Sequence, residues 1–150
     1  MGSIALLCTD GSDYAIEALR TCLPLLAPVD RIVLVTVESP VDPEVETGTG
    51  FIVERPTDPS NQIRTTGDRL AKTHLDRTVE ELGLDEVQLR AVVGRAGKAI
   101  CELAASLPAS VVVIGTSGRG GVRRAIIGST SDYVIRHAGC PVLVHAVGQS

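Results

Sequence analysis

The sequence predicts an α/β protein with an open parallel sheet and helices on both of its faces. Three observations carry this. Short apolar, β-branched runs alternate with helical stripes in the order β-α-β-α-β-α-β-α-β. Several of those runs are apolar almost throughout, as strands covered on both sides must be. Alternation of this kind is satisfied by right-handed crossovers within one parallel sheet. At 150 residues the chain has the length of one domain and is read as a single unit over 1–150.

Ile4 to Cys8 is the first strand, stopped by Thr9-Asp10-Gly11-Ser12. Ala15, Leu19, Cys22, Leu23 and Leu26 then share a helical face. Ser12 or Asp13 can accept a free first-turn N–H, while Pro24 and Pro28 mark a kink and an end. Arg31 to Val37 is the second strand. Residues 39–61 hold four prolines, two glycines and five acids and read as a long exposed loop. A second helix is expected from Gln62 to Leu82, with Ile63, Leu70, His74 and Leu75 facing inward and Gly83 as its stop. Val87 to Val93 is the third strand. Ala96, Ile100, Leu103, Ala104 and Leu107 form the stripe of a third helix, ended by Pro108. Val111 to Ile114 is the fourth strand, Ser129 to His137 a short helix with Gly139 at its C-terminal end, and Pro141 to Val147 the fifth strand.

Composition excludes several classes of function. The 18 acidic residues outnumber the 14 basic ones, which argues against a general nucleic-acid coat. Tyr14, Phe51 and Tyr133 are too few aromatics for a base-stacking platform. No apolar run approaches the roughly 18 residues of a membrane span, and Met1 to Cys8 is too short and uncharged for a secretory signal. The partners expected therefore include neither nucleic acid nor a membrane. Cys8, Cys22, Cys101 and Cys140 form no CxxC pair, and the three histidines show no ligand spacing to them, so no metal site is expected. Their apolar neighbours suggest buried, reduced thiols and a cytoplasmic location.

In open parallel sheets, ligands bind beyond the carboxyl ends of the strands, where the strand order switches. Two loops at that end have unusual composition. One is Thr9-Asp10-Gly11-Ser12. The other runs from Gly115 through Gly118, Arg119, Gly120, Gly121, Arg123 and Arg124 to Gly128-Ser129-Thr130-Ser131. Glycines let backbone approach an anion without a Cβ in the way, and successive free N–H groups make a concave anion nest. Gly128 opens a helix whose first residues carry hydroxyls, and a helix N-terminus attracts anions. No acidic residue occurs from Leu103 to Ser131, so this stretch is a positive window in an acidic protein. A phosphate chain is the natural guest.

Better-known nucleotide motifs are absent. Gly94-Arg-Ala-Gly97-Lys98-Ala99 is too short for a Walker A loop and ends in alanine, so it reads as a tight turn with a surface lysine. Gly118-x-Gly120 has Arg123 where the dinucleotide fingerprint needs glycine. Asp10 to Asp13 has no histidine near it in sequence, so a nucleophilic triad has no support.

The spacing Gly115-x2-Gly118-x9-Gly128-Ser129 resembles the G-x2-G-x9-G-[S/T] motif of ATP-binding universal stress proteins. Asp10-Gly11-Ser12 after the first strand, Thr36-Val37-Glu38 at the end of the second, and the tail from Gly128 to Val144 are similar to the same family, over nearly the whole chain. The resemblance implies a Rossmann-like five-stranded sheet of order 3-2-1-4-5 and a homodimer, joined here through the apolar C-terminal strand. It also implies an ATP site, with magnesium accompanying the nucleotide. Thr9, Asp10 and Val37 would lie around the adenine and ribose, Ile114 and Gly115 would line the site, and Gly118, Gly128, Ser129, Thr130 and Ser131 would hold the phosphates. Ser110 departs from the aspartate that many members carry before the fourth strand.

Fast phosphoryl transfer needs carboxylate-held magnesium, a cationic clamp and a group that orients water. The phosphate loop has no acid and no lysine. The expected function is therefore an ATP-binding regulatory or stress-response module with little or no turnover, no catalytic residue and an unknown protein partner. The alternatives are a slow ATPase and an interaction scaffold for which nucleotide is incidental.

Overall fold

The computed structural model describes residues 2–38, 66–116 and 128–146. Along the chain they form β1 (Ile4–Cys8), α1 (Asp13–Cys22), a 3-10 turn (Leu23–Leu25), β2 (Arg31–Glu38), α2 (Thr66–Leu82), β3 (Val87–Val93), α3 (Ala96–Ser106), β4 (Val111–Gly115), α4 (Ser129–His137) and β5 (Val142–His145). The five strands pair in the order β3-β2-β1-β4-β5, and every pairing is parallel. The expected sheet is therefore observed.

β1 lies at the centre, with Leu6 in register with Val33 on one side and Val112 on the other. All five of its residues are buried. Alternation divides them between two cores. Ile4, Leu6 and Cys8 pack with Val33, Val35, Val112 and Ile114 beneath Ile100 and Leu103 of α3 and Val134 of α4. Ala5 and Leu7 pack with Leu34 and Val113 beneath Leu19 and Cys22 of α1 and Leu75 of α2. A buried leucine or valine contributes about 1.5–3 kcal/mol through the water it sheds, so β1 anchors both faces.

The local signals act as anticipated at most boundaries. Ser12 is the residue that caps α1, its Oγ accepting from the Ala15 N–H at 3.1 Å. The helix then tightens into the 3-10 turn that contains Pro24, which has no N–H to continue an α-helical ladder. Gly83 ends α2 at φ +60°. Ser110, the departure from the family pattern, takes a definite role. Its Oγ accepts the Ile4 N–H at 3.1 Å, and its own N–H donates to the Ile4 carbonyl at 2.8 Å. A serine thus ties β4 to the start of β1.

Some expectations need correction. Leu70 is exposed, at 42%, rather than inward. The buried positions of α2 are Ala71, His74, Leu75 and Thr78, and at about 100° per residue Leu70 falls off the edge of that stripe. β2 runs one residue further, to Glu38, and β5 is shorter, from Val142 to His145. Pro141 still offers its carbonyl to the Val112 N–H, at 3.0 Å. The anticipated loop 39–61, the start of the second helix at 62–65 and Val147 lie outside the described residues.

The four thiols are free, but only Cys8 and Cys22 are buried, while Cys101 and Cys140 are half-buried. Burial raises the pKa of Cys8 far above its ordinary value, and Cys101 nearby adds to the shift. Desolvation raises the other three as well. A reactive sensor thiol needs the opposite shift. A thiol whose pKa is raised on folding stabilises the fold at low pH, and loses that contribution as pH rises past its unfolded value of 9.0. The urea midpoint is therefore expected to fall between pH 8 and pH 10, and to fall less in Cys8→Ala. Alkylation mapped by mass spectrometry is expected to mark Cys101 and Cys140 before Cys8.

Candidate functional site

The carboxyl ends of β2, β1 and β4 lie side by side, because β1 pairs with both neighbours. Strand order switches there: the chain leaves β1 toward β2 on one side, and β4 occupies the other. Thr9 and Asp10 follow β1, Val37 lies near the end of β2, and Ile114 and Gly115 close β4. α4 begins beside them. An ideal Cβ on Gly128 would stand 2.5 Å from the Thr116 carbonyl oxygen, so the first turn of α4 is seated directly against the end of β4. The structure thus gathers nine of the ten expected site residues at one edge. The tenth, Gly118, lies outside the described residues, as do Arg119, Arg123 and Arg124.

Each gathered residue has a definite setting. Gly128 is the N-cap of α4, extended at φ −72° and ψ 162°, with no side-chain cap. The first N–H groups of a helix have no partner within it, so the N-terminus of α4 offers main-chain donors and a partial positive charge to the sheet edge. Ser129 is exposed and Thr130 half-buried. Ser131 is 1% exposed, and its Oγ donates back to the Gly128 carbonyl at 3.1 Å. Its hydroxyl thereby braces the first turn of α4.

The turn after β1 is as tightly specified. Asp10 accepts the Ser12 N–H at 2.9 Å, closing the turn on itself. Thr9 is buried, and its Oγ1 accepts the Gly11 N–H at 3.1 Å while lying 2.9 Å from Thr78 Oγ1. Thr78 has one hydroxyl proton, which goes to the His74 carbonyl at 2.8 Å. Thr9 is therefore the donor in the threonine pair. Gly11 has φ +76°, a left-handed conformation that favours glycine. An added Cβ would also meet the His74 ring at 2.5 Å.

Sequence reasoning put His74 on the inner face of α2 without giving it a role. The structure brings its Nδ1 to 3.0 Å from Glu38 Oε1, with both side chains nearly buried. Arg77, one turn further on, donates to the Gly11 carbonyl and to Asp13 Oδ1. The available signal was polar residues at 74, 77 and 78 on an otherwise apolar helix face. Thr36 lies on the same face of the sheet, fully buried, and its Oγ1 has no hydrogen-bond partner among the described residues.

The Gly94–Ala99 segment joins β3 to α3. Lys98 is exposed and reaches Glu102 at 3.8 Å. Gly97 is required by packing, since a Cβ there would stand 2.8 Å from Tyr133 Cβ. Among the described residues no group of three His, Cys, Asp or Glu side chains is arranged to hold a metal.

An open parallel sheet with a helix N-terminus and a tight turn at its switch point is an α/β architecture, and in such sheets the carboxyl edge is where ligands generally bind. The model of the universal stress protein family matches residues 2–145, and the chain belongs to that family. It is 29% identical over 136 residues to the universal stress protein MJ0531 of Methanocaldococcus jannaschii, a match covering 91% of this chain and 77% of that one. Among solved structures, MJ0577, a protein whose biochemical function was assigned from its structure, superposes with TM-score 0.70 at 19% identity, covering 99% and 98% of the two chains. A universal stress protein in complex with cAMP gives 0.59 at 21% identity, with coverages of 96% and 97%. A member of the family from Arabidopsis thaliana with AMP bound gives 0.57 at 16%, with coverages of 97% and 92%. At these identities the likenesses to solved structures speak for the fold.

Two tests follow from the packing of the site. Gly128→Ala is expected to lower stability by about 1–3 kcal/mol in the absence of any ligand, the usual cost of forcing atoms into a filled space. Calorimetric melting measures it, and an unchanged melting temperature would contradict the contact with Thr116. Thr36→Val is expected to be neutral or to stabilise by about 1 kcal/mol, whereas Thr78→Val, which leaves the Thr9 hydroxyl without its acceptor, should cost about 1–2 kcal/mol.

Proposed function

We propose that this protein binds ATP at the carboxyl edge of the sheet and works as a nucleotide-dependent regulatory module with little or no turnover. The observation that carries this reading is the N-terminus of α4 seated against the end of β4, with Gly128 and three hydroxyl residues in its first turn. Free main-chain donors, a positive helix end and the lack of any acid from Leu103 to Ser131 suit phosphate oxygens. On this reading Gly118, Gly128, Ser129, Thr130 and Ser131 hold the phosphates, the last chiefly through its main chain. Thr9, Asp10, Val37, Ile114 and Gly115 surround the adenosine. The cAMP and AMP complexes of fold neighbours share adenosine and one phosphate, which supports an adenine nucleotide over other phosphorylated ligands.

Magnesium would arrive with the triphosphate, since among the described residues no cluster of carboxylates is arranged to hold it. On this reading the donors from α4 are main-chain N–H groups and hydroxyls, all neutral. They hold ground-state phosphate, whereas acceleration needs interactions that strengthen in the transition state. The whole chain, 1–150, is read as one module in the cytosol, where free thiols persist. β5 is an edge strand with Val142, Leu143 and Val144 half-buried. Pairing with the same strand of a second copy would cover it, so the module is read as a homodimer that signals to a further protein.

Isothermal titration and mass spectrometry of nucleotide released from the purified protein test the site, and retention of ATP is the expected result. Single-turnover hydrolysis with magnesium is expected on the order of a few events per hour or less, against ~1–10³ s⁻¹ for ordinary enzymes. Turnover near one per second that is lost in Asp10→Ala would make the protein an ATPase. Light scattering at micromolar concentration is expected to give the mass of a dimer.

A further inference from the structure

We propose that His74, Arg77 and Thr78 of α2 are positioning residues that hold the turn between β1 and α1 in its ligand-ready shape. The proposal rests on the nucleotide reading for what the turn presents, and on the structure alone for what holds the turn.

The three side chains fall at i, i+3 and i+4, hence on one face of α2. They engage alternate residues of the turn. Thr78 accepts from Thr9. Arg77 takes the Gly11 carbonyl with one guanidinium nitrogen and Asp13 with another. The His74 ring fills the space that a side chain at residue 11 would need, and its Nδ1 lies 3.0 Å from Glu38 Oε1 at the end of β2. Asp10, between the gripped residues, closes the turn through Ser12. The turn is thus clamped from behind by a helix that contributes no residue to the expected binding set.

The left-handed Gly11 explains why a clamp is useful. A glycine turn is conformationally permissive and loses much freedom on ordering. A fixed turn spares a ligand that ordering cost. Because coupling is reciprocal, a ligand that favours the clamped turn also favours docked α2. The adenosine end of the site then depends on α2, and the phosphate end on α4.

The test uses the full chain and follows backbone amide exchange by NMR together with titration of ATP and of inorganic triphosphate. Arg77 has a half-exposed side chain, so Arg77→Ala is expected to fold. Exchange at Gly11, Ser12 and Asp13 should quicken, with β1 and β4 unchanged. ATP affinity should fall about tenfold, the scale of a lost charge-assisted hydrogen bond, with triphosphate affinity unmoved. Arg77→Lys, with one compact donor for two acceptors, should recover part of the loss. His74→Gln should act in the same direction. Arg20→Ala, which breaks a different α1–α2 bridge, to Glu81, should leave the turn alone. Unchanged exchange in Arg77→Ala, an equal effect of Arg20→Ala, or ATP and triphosphate affinities that fall together would overturn the proposal. A wild-type protein that binds no adenine nucleotide would remove the functional reading instead. The exchange data would then still decide whether α2 holds the turn, quickened exchange upholding it and unchanged exchange overturning it.

Discussion

β1 runs through the middle of the sheet with all five of its residues buried, and each neighbouring element is placed by what it must cover. Even-numbered side chains are covered by α3 and α4, and odd-numbered ones by α1 and α2. The strand also borders both β2 and β4. The one segment that organises both cores therefore ends at the switch in strand order. A turn there cannot drift, because the strand feeding it has no freedom to slide: a one-residue slip would exchange its two faces.

The two halves of the candidate site are built by different means. On the α4 side the donors are main-chain groups at a helix start, brought close by a glycine that has no room for a Cβ. On the β1 side the turn is held by a relay of hydroxyls, in which Gly11 donates to Thr9, Thr9 to Thr78 and Thr78 to the His74 carbonyl. Each hydroxyl is satisfied once as donor and once as acceptor, which is how a buried polar layer avoids the cost of an unpaired group. Both constructions fix polar atoms before any ligand arrives.

Gly11 and Gly128 show that one glycine can be required for two separate reasons. The proposed phosphate contact would favour a bare backbone at residue 128, yet the Thr116 carbonyl alone already forbids a side chain there. At residue 11 the left-handed backbone and the His74 ring do the same. Loss of binding in a bulky variant at either position therefore reports on packing as well as on contact with a ligand, which is why exposed Arg77 is the more informative probe of the turn.

Much was legible in the chain itself. Apolar periodicity of two and of 3.6 set the element order, and the Gly-x2-Gly-x9-Gly-Ser spacing with its neighbouring segments carried the resemblance to the family. These are local properties, since burial on both faces of a strand demands unbroken apolar runs and a helix start demands a cap. Other features depend on contacts remote in sequence. Leu70 satisfied the helical period yet faces outward, because the rotation of α2 is set by where His74, Leu75 and Thr78 must pack. Ser131 offered a hydroxyl in sequence, but the first turn of α4 claims it for Gly128. The pairing of Glu38 with His74 and of Arg77 with Gly11 and Asp13 joins residues 36 to 66 positions apart. No periodicity encodes such pairs. The composition of the chain determined which elements form and which family they belong to; the packing of α2 on the sheet decided which polar groups meet, because a buried charge or hydroxyl must find its partner in space rather than in sequence.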